Sequence, residues 1–109
     1  MSARIPTDDE TIELADMFKL LGDPSRLRII LATLGKPLPV GVIAARLDLS
    51  PSLVSHHLRL LRAARLVRPQ RHGREIRYSL HDAHVRQIIE DMLAHIGEAA
   101  HDPVERTIP

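Results

Sequence analysis

Apolar residues recur along this chain in two periods, and the change of period divides it. From about residue 7 to residue 64 they fall at three- and four-residue steps, the spacing of helices buried on one side. From 66 to 80 they alternate as in strands, and beyond 81 the helical step returns.

Local signals divide the first region into four helices. Thr7-Asp8-Asp9-Glu10 has the form of a capping box, so a first helix is expected from there to Gly22, with Ile12, Ala15, Phe18, Leu20 and Leu21 as its apolar residues. Asp23 as cap and Pro24 at the first helical position begin a second, with Leu27, Ile30, Leu31 and Leu34 on one face and Gly35 as its stop. Lys36-Pro37-Leu38-Pro39 is expected as a short extended link, because two prolines preclude helix there. A third helix is expected over Val40–Leu47, with Ile43, Ala44 and Leu47 inward. Asp48-Leu49 makes the turn, and Ser50 and Pro51 start a fourth helix that runs to about Ala64 with Val54, Leu58 and Leu61 buried.

Two helices joined by so short a turn form a helix-turn-helix, whose second helix enters the DNA major groove. Its early residues, Ser52, Ser55, His56, His57 and Arg59, are therefore the expected DNA contacts. The alternating stretch supplies two strands, Leu66–Gln70 and Glu75–Leu80, around Arg71-His72-Gly73-Arg74, where Gly73 provides the positive φ of a tight turn. Ile76, Tyr78 and Leu80 are expected to face inward and Glu75, Arg77 and Ser79 outward. A basic hairpin after a recognition helix is a wing, so Arg71, His72, Arg74 and Arg77 join the expected DNA contacts, and Pro69 confines its strand to an edge.

The last helical stretch, 81–98, carries a stripe of Val85, Ile88, Ile89, Met92, Leu93 and Ile96 flanked by four metal-ligand types. Asp82 and His84 stand at its start, His95 and Glu98 at its end. His84 and His95 are eleven residues apart and so return to one side of a helix, yet they lie roughly 16 Å apart along its axis, too far for one cation. An antiparallel pair of copies removes the difficulty. Asp82–Glu98 is centred on residue 90 and His84–His95 between 89 and 90, so a two-fold axis there makes two equivalent sites. Each takes Asp82 and His84 from one chain and His95 and Glu98 from the other. A solvated polar face accounts equally well for the four residues taken alone, but not for their shared midpoint.

Composition narrows the classes. With 109 residues the chain is expected to form one domain, with residues 1–7 and 100–109 as flexible tails. There is no cysteine, which removes disulfides and thiolate metal sites, and no apolar run of membrane-spanning length or signal-peptide pattern, so a cytoplasmic protein is expected. Net charge is only +1, but residues 46–77 hold eight arginines against Asp48 and Glu75, between acidic ends. Such a field suits a polyanion. Phe18 and Tyr78 are the only aromatics besides histidine, too few for an RNA-stacking platform. A zinc hydrolase is disfavoured by the lack of His-Glu-x-x-His, and four protein ligands leave no open position for water. An enzyme is not expected.

The order L-G-D-P-S-R-L-R-I (21–29), S-x-S-x-V-S-H-H-L-x-x-L (50–61), R-L-V (65–67), G-R (73–74) and D-x-H…H-x-x-E resembles the ArsR/SmtB family of metal-sensing repressors across residues 14–98. The resemblance implies a winged helix-turn-helix, mainly α with a β-hairpin wing, dimerised through its N- and C-terminal helices. It implies an apo homodimer on an inverted-repeat operator in double-stranded DNA, released when Zn(II), or Co(II), meets Asp82, His84, His95 and Glu98. It also implies a hydrogen bond from His95 to the carbonyl of Arg65, coupling the metal site to the recognition helix. An input of Ni(II)/Co(II), or one that is not a metal, is the alternative. Nickel favours more ligands, and His101 is the one candidate to add. The chain departs from some relatives in having Pro39 and Gly41 where they place cysteines, and His57 where many have glutamine.

Overall fold

A computed structural model describes residues 4–100 as five helices and three strands. Of the expected tails, residues 1–3 and 101–109, including His101, lie outside the described residues. Helix α1 (Asp8–Leu21) opens on the expected capping box: Thr7 Oγ1 accepts from the Glu10 N–H and Glu10 Oε1 from the Thr7 N–H. Arg4 clamps the same glutamate, and this pair with the Thr7 N–H holds the Glu10 carboxyl down to about 2. The chain is thus tied to α1 from residue 4.

Helix α2 (Pro24–Ala32) starts as expected on Asp23, whose carboxylate accepts from the Arg26 N–H, but ends earlier and turns a different face inward. The fully buried residues are Ile29, Ile30 and Thr33, whereas Leu31 is exposed and Leu27 and Leu34 are half-buried. Thr33 can take a core position because its hydroxyl donates to the carbonyls of Ile29 and Ile30, at 3.3 and 3.0 Å, which closes the last turn before Gly35.

Helices α3 (Val40–Leu47) and α4 (Pro51–Ala63) form the helix-turn-helix at the expected bounds. Asp48 occupies the left-handed region at φ 55°, a conformation its short side chain tolerates, and Ser50 accepts from the Leu53 N–H to start α4. At the far end of α4 the Leu66 N–H reaches the Leu61 carbonyl and the Arg65 N–H reaches that of Arg62, both at 2.9 Å. This is a Schellman closure, with Arg65 at φ 58° where glycine is usual.

The chain then enters β2 (Val67–His72), turns at Gly73 (φ 65°) and returns as β3 (Glu75–Leu80). The link expected at residues 36–39 is extended and supplies β1 (Leu38–Pro39), which pairs with β3 and gives the antiparallel order β1-β3-β2. Pro69 and Pro39 therefore both sit on edge strands, where a missing N–H costs no ladder bond. Leu80 faces the core as expected, but Ile76 near the wing tip is exposed and Ser79 is only 6% exposed. At the strand base the far face is covered too, and the Ser79 hydroxyl oxygen accepts there from Gln70 Nε2.

The core gathers Ile29 and Ile30 of α2, Ile43 of α3, Val54 and Leu58 of α4, and Val67 of β2. Among the described residues, helix α5 (Ala83–Ala100) contributes Ile89 alone to it as a buried residue, and α1 contributes none. These two helices flank the winged unit with most of their apolar residues uncovered. No helix among the described residues is long and apolar enough to cross a membrane.

Candidate DNA interface and metal half-sites

The start of α4 displays Ser52, His56 and Arg59 on its exposed side, with Ser55 half-buried between them. Their common face follows from the buried one: Val54, Leu58 and Leu61 anchor the helix and turn the opposite side to solvent. His57 falls on the anchored side. It is 8% exposed, packs beside His56 at 5.7 Å between ring centres, and its Nδ1 has no partner among the described residues. The expectation that His57 meets bases is therefore corrected: its ring is part of the interior. Burial lowers its pKa, opposed in part by the charge of Asp23 at the head of α2.

On the wing, Arg71, His72 and Arg74 are exposed around the Gly73 turn. Arg77 is half-buried and donates from Nε to Glu75 Oε1 at 2.6 Å, so one of its donors is already committed.

At the start of α5, Asp82 lies just outside the helix, and its Oδ1 accepts from the Val85 N–H at 3.0 Å. That placement explains how residues two apart can act together: the first lies in the lead-in and the second in the first turn. The other carboxylate oxygen, Oδ2, lies 3.7 Å from His84 Nδ1. Two donors on one tetrahedral cation with bonds of about 2 Å stand roughly 3.4 Å apart, so the pair is within a small adjustment of ligand spacing. The bond from Val85 is the leading cause that lowers the Asp82 pKa, so the group is held as the carboxylate a cation needs.

His95 and Glu98 are exposed one turn apart near the other end of α5. No cluster of three or more histidines and acids able to hold a metal occurs among the described residues of one chain. The fold brings together Asp82 with His84, and His95 with Glu98, but not the two pairs. Between α1 and α5 a cavity of about 290 Å³ is walled by apolar residues such as Leu14, Phe18 and Ile88, with Arg65, Asp82 and His84 also among its lining. Asp82 and His84 thus adjoin the end of α4. A second pocket beside Asp82, which nothing in the sequence pattern signals, is lined by Lys36, Arg68 and Arg86.

Comparison with known proteins agrees with this architecture. Residues 23–68 match the bacterial regulatory protein, arsR family. A transcriptional repressor SmtB homolog of Synechocystis sp. is 42% identical over 91 residues, 84% of this chain and 69% of that protein. The HTH-type transcriptional regulator NmtR of Mycobacterium tuberculosis is 40% identical over 91 residues, 83% and 76% of the two chains. The solved structure of the cadmium metal-sensor CMTR of M. tuberculosis superposes with a TM-score of 0.64 at 39% identity, covering 71% of this chain and 80% of that one. A winged helix-turn-helix with such relatives is a DNA-binding transcriptional regulator and not an enzyme, and the chain belongs to the ArsR family.

Proposed function

We propose that the chain is a metal-responsive repressor acting as a homodimer, whose apo form holds an inverted-repeat operator and whose Zn(II)-bound, or Co(II)-bound, form releases it. The observation that carries the reading is the uncovered apolar face. Ile12 and Phe18 on α1 and Ile88, Met92 and Ile96 on α5 are between 54 and 62% exposed. Covering what is exposed of each such side chain is worth roughly half of the 1.5–3 kcal/mol of a full burial, and a second copy laid across α5 with the chains antiparallel would supply it for the α5 residues. That arrangement brings Asp82 and His84 of one chain to His95 and Glu98 of the other.

The donor set suits the cation. Two imidazoles and two carboxylates without a thiolate favour zinc or cobalt over a softer metal. Bound there, the metal supplies a dication that joins the head of one α5 to the foot of the other. The residues do the rest. Asp82 offers Oδ2 while Oδ1 stays on the Val85 N–H, so ligation keeps the helix cap. A ligating histidine steadies its ring by donating its other N–H, and the carbonyl of Arg65 is the acceptor for His95 in this reading. Arg65 ends the recognition helix, so a pull on its carbonyl bears on the angle at which α4 meets the groove.

Fluorescence anisotropy on DNA from upstream of its own gene tests the reading. Binding with chelator should weaken by about 5- to 150-fold on adding Zn(II) or Co(II), the usual range of coupling between sites. His95→Ala should keep apo binding and lose the metal response. If wild-type affinity ignores Zn(II), Co(II) and Ni(II) alike, the input is not a metal.

A further inference from the structure

The second pocket, of about 310 Å³, lies at the foot of the wing beside the start of α5. Arg68 pairs with Ser79 across the ladder and Gln70 follows two residues after Arg68, so all three side chains emerge on one side of the sheet. Lys36 borders the pocket from the segment before β1, and Arg86 from α5.

The polar groups of this pocket are unbalanced. Arg86 is fixed by a bond from Nη1 to the Leu34 carbonyl, which leaves most of its guanidinium N–H groups free. Lys36 and Arg68 form no ion pair among the described residues. Ser79, only 6% exposed, accepts from Gln70 Nε2 at 2.9 Å, and its own hydroxyl hydrogen has no acceptor among the described residues. The single carboxylate in the lining, Asp82, already accepts from the Val85 N–H. Three cations and a buried donor line the pocket, with one engaged acid to oppose them. A cation would be repelled there, and a neutral ligand would leave the charges uncompensated.

We infer that this pocket binds a small oxyanion, phosphate or carboxylate in chemistry, held by Lys36, Arg68 and Arg86 with the Ser79 hydroxyl donating. Charge-assisted bonds of this kind are about twice as strong as neutral ones, and guanidinium offers oxyanions a forked pair. The three cations come from the lead-in to β1, from β2 and from α5. A bound anion therefore pins the wing to the helix that carries the metal ligands. The inference does not rest on metal sensing, because the pocket needs neither a metal nor a second chain.

The test titrates the full chain, with chelator and without DNA, with inorganic phosphate at constant ionic strength. Melting temperature and the backbone amide signals of residues 79–83 are followed. Saturable stabilisation, with shifts confined to those signals and to Lys36, Arg68 and Arg86, is expected. Arg68→Gln and Lys36→Gln, both exposed changes that leave the core intact, should each weaken the apparent affinity about tenfold, the loss of one charge-assisted bond. Arg71→Gln at the wing tip should not. A response that does not saturate, or that persists unchanged in Arg68→Gln, means an adventitious ion only. A phosphate of the duplex presents the same chemistry, so DNA affinity is measured on the same variants. If Arg68→Gln lowers it as much as Arg74→Gln does, the cluster serves the DNA backbone and the free-anion assignment falls.

Discussion

His57 shows how one residue of α4 can carry a titratable group into the interior. Its ring is enclosed with Nδ1 unpartnered, near Asp23, Arg26 and His56. Burial lowers its pKa from the ordinary 6.5, so as pH falls the unfolded chain takes the proton first. The sign follows directly: stability is full above pH 6.5 and declines below it, until the folded-state pKa is also passed. Urea unfolding at a series of pH values should show this slope in the wild type and a shallower one in His57→Leu. The same variant should be more stable at pH 7 by on the order of 1 kcal/mol, since an unsatisfied buried polar atom costs about 1–3 kcal/mol. Equal slopes in both proteins would assign the acid sensitivity to another group.

Among the elements, α4 is the one whose two ends serve different tasks. Its head presents Ser52 and His56, and its foot is closed by Arg65 in a left-handed conformation that costs a side-chain-bearing residue roughly 1–2 kcal/mol. Glycine escapes that cost but loses about 0.5–1 kcal/mol of chain entropy. The exposed pair between Arg65 and Glu13, at 3.5 Å, adds little. Arg65→Gly should therefore stabilise the fold by about 0.5–1 kcal/mol in thermal or urea unfolding. Because the proposed coupling bond uses the backbone carbonyl, the variant should also keep its metal response. A lost response with an intact fold would move the coupling from the carbonyl to the guanidinium.

The limits of the sequence lie at this scale as well. Caps and stops at Thr7, Asp23, Ser50 and Gly73 are local chemistry, and the elements begin and turn where those residues predict. Which face of α2 is buried is a tertiary matter. Thr33 enters the core because its hydroxyl can bond back along its own helix, which a count of apolar residues misses. Ser79 is covered by neighbours from other segments for the same kind of reason, and His57 is turned inward by the packing of α4 on α2. The pairs Asp82–His84 and His95–Glu98 are legible in the sequence because each lies within about one turn of the chain. The pocket lined by Lys36, Arg68 and Arg86 is not, since its residues are scattered from 36 to 86 and meet only after folding.

For the molecule as a whole, the question is what the apolar faces of α1 and α5 are for. A chain of this size that leaves Phe18 at 60% and Ile96 at 62% exposed forgoes burial it can hardly spare. Under the proposed antiparallel pairing, the two-fold axis crosses near residues 89 and 90, so Ile88 meets the region of its own copy. Ile88→Glu then places two like charges close together in a desolvated seam, whereas in a lone chain the half-exposed position accepts the acid. The variant should retain its helical circular dichroism and sediment as a monomer, whereas the proposed pairing expects the wild type to sediment as a dimer. Its operator affinity should fall by about 10²- to 10⁴-fold, because two linked heads bind with an effective concentration that separate heads lack. The metal should be lost with it, since each site draws half its ligands from the partner chain. A variant that stays dimeric places the seam elsewhere, and the four ligands would then have no geometry in which to meet.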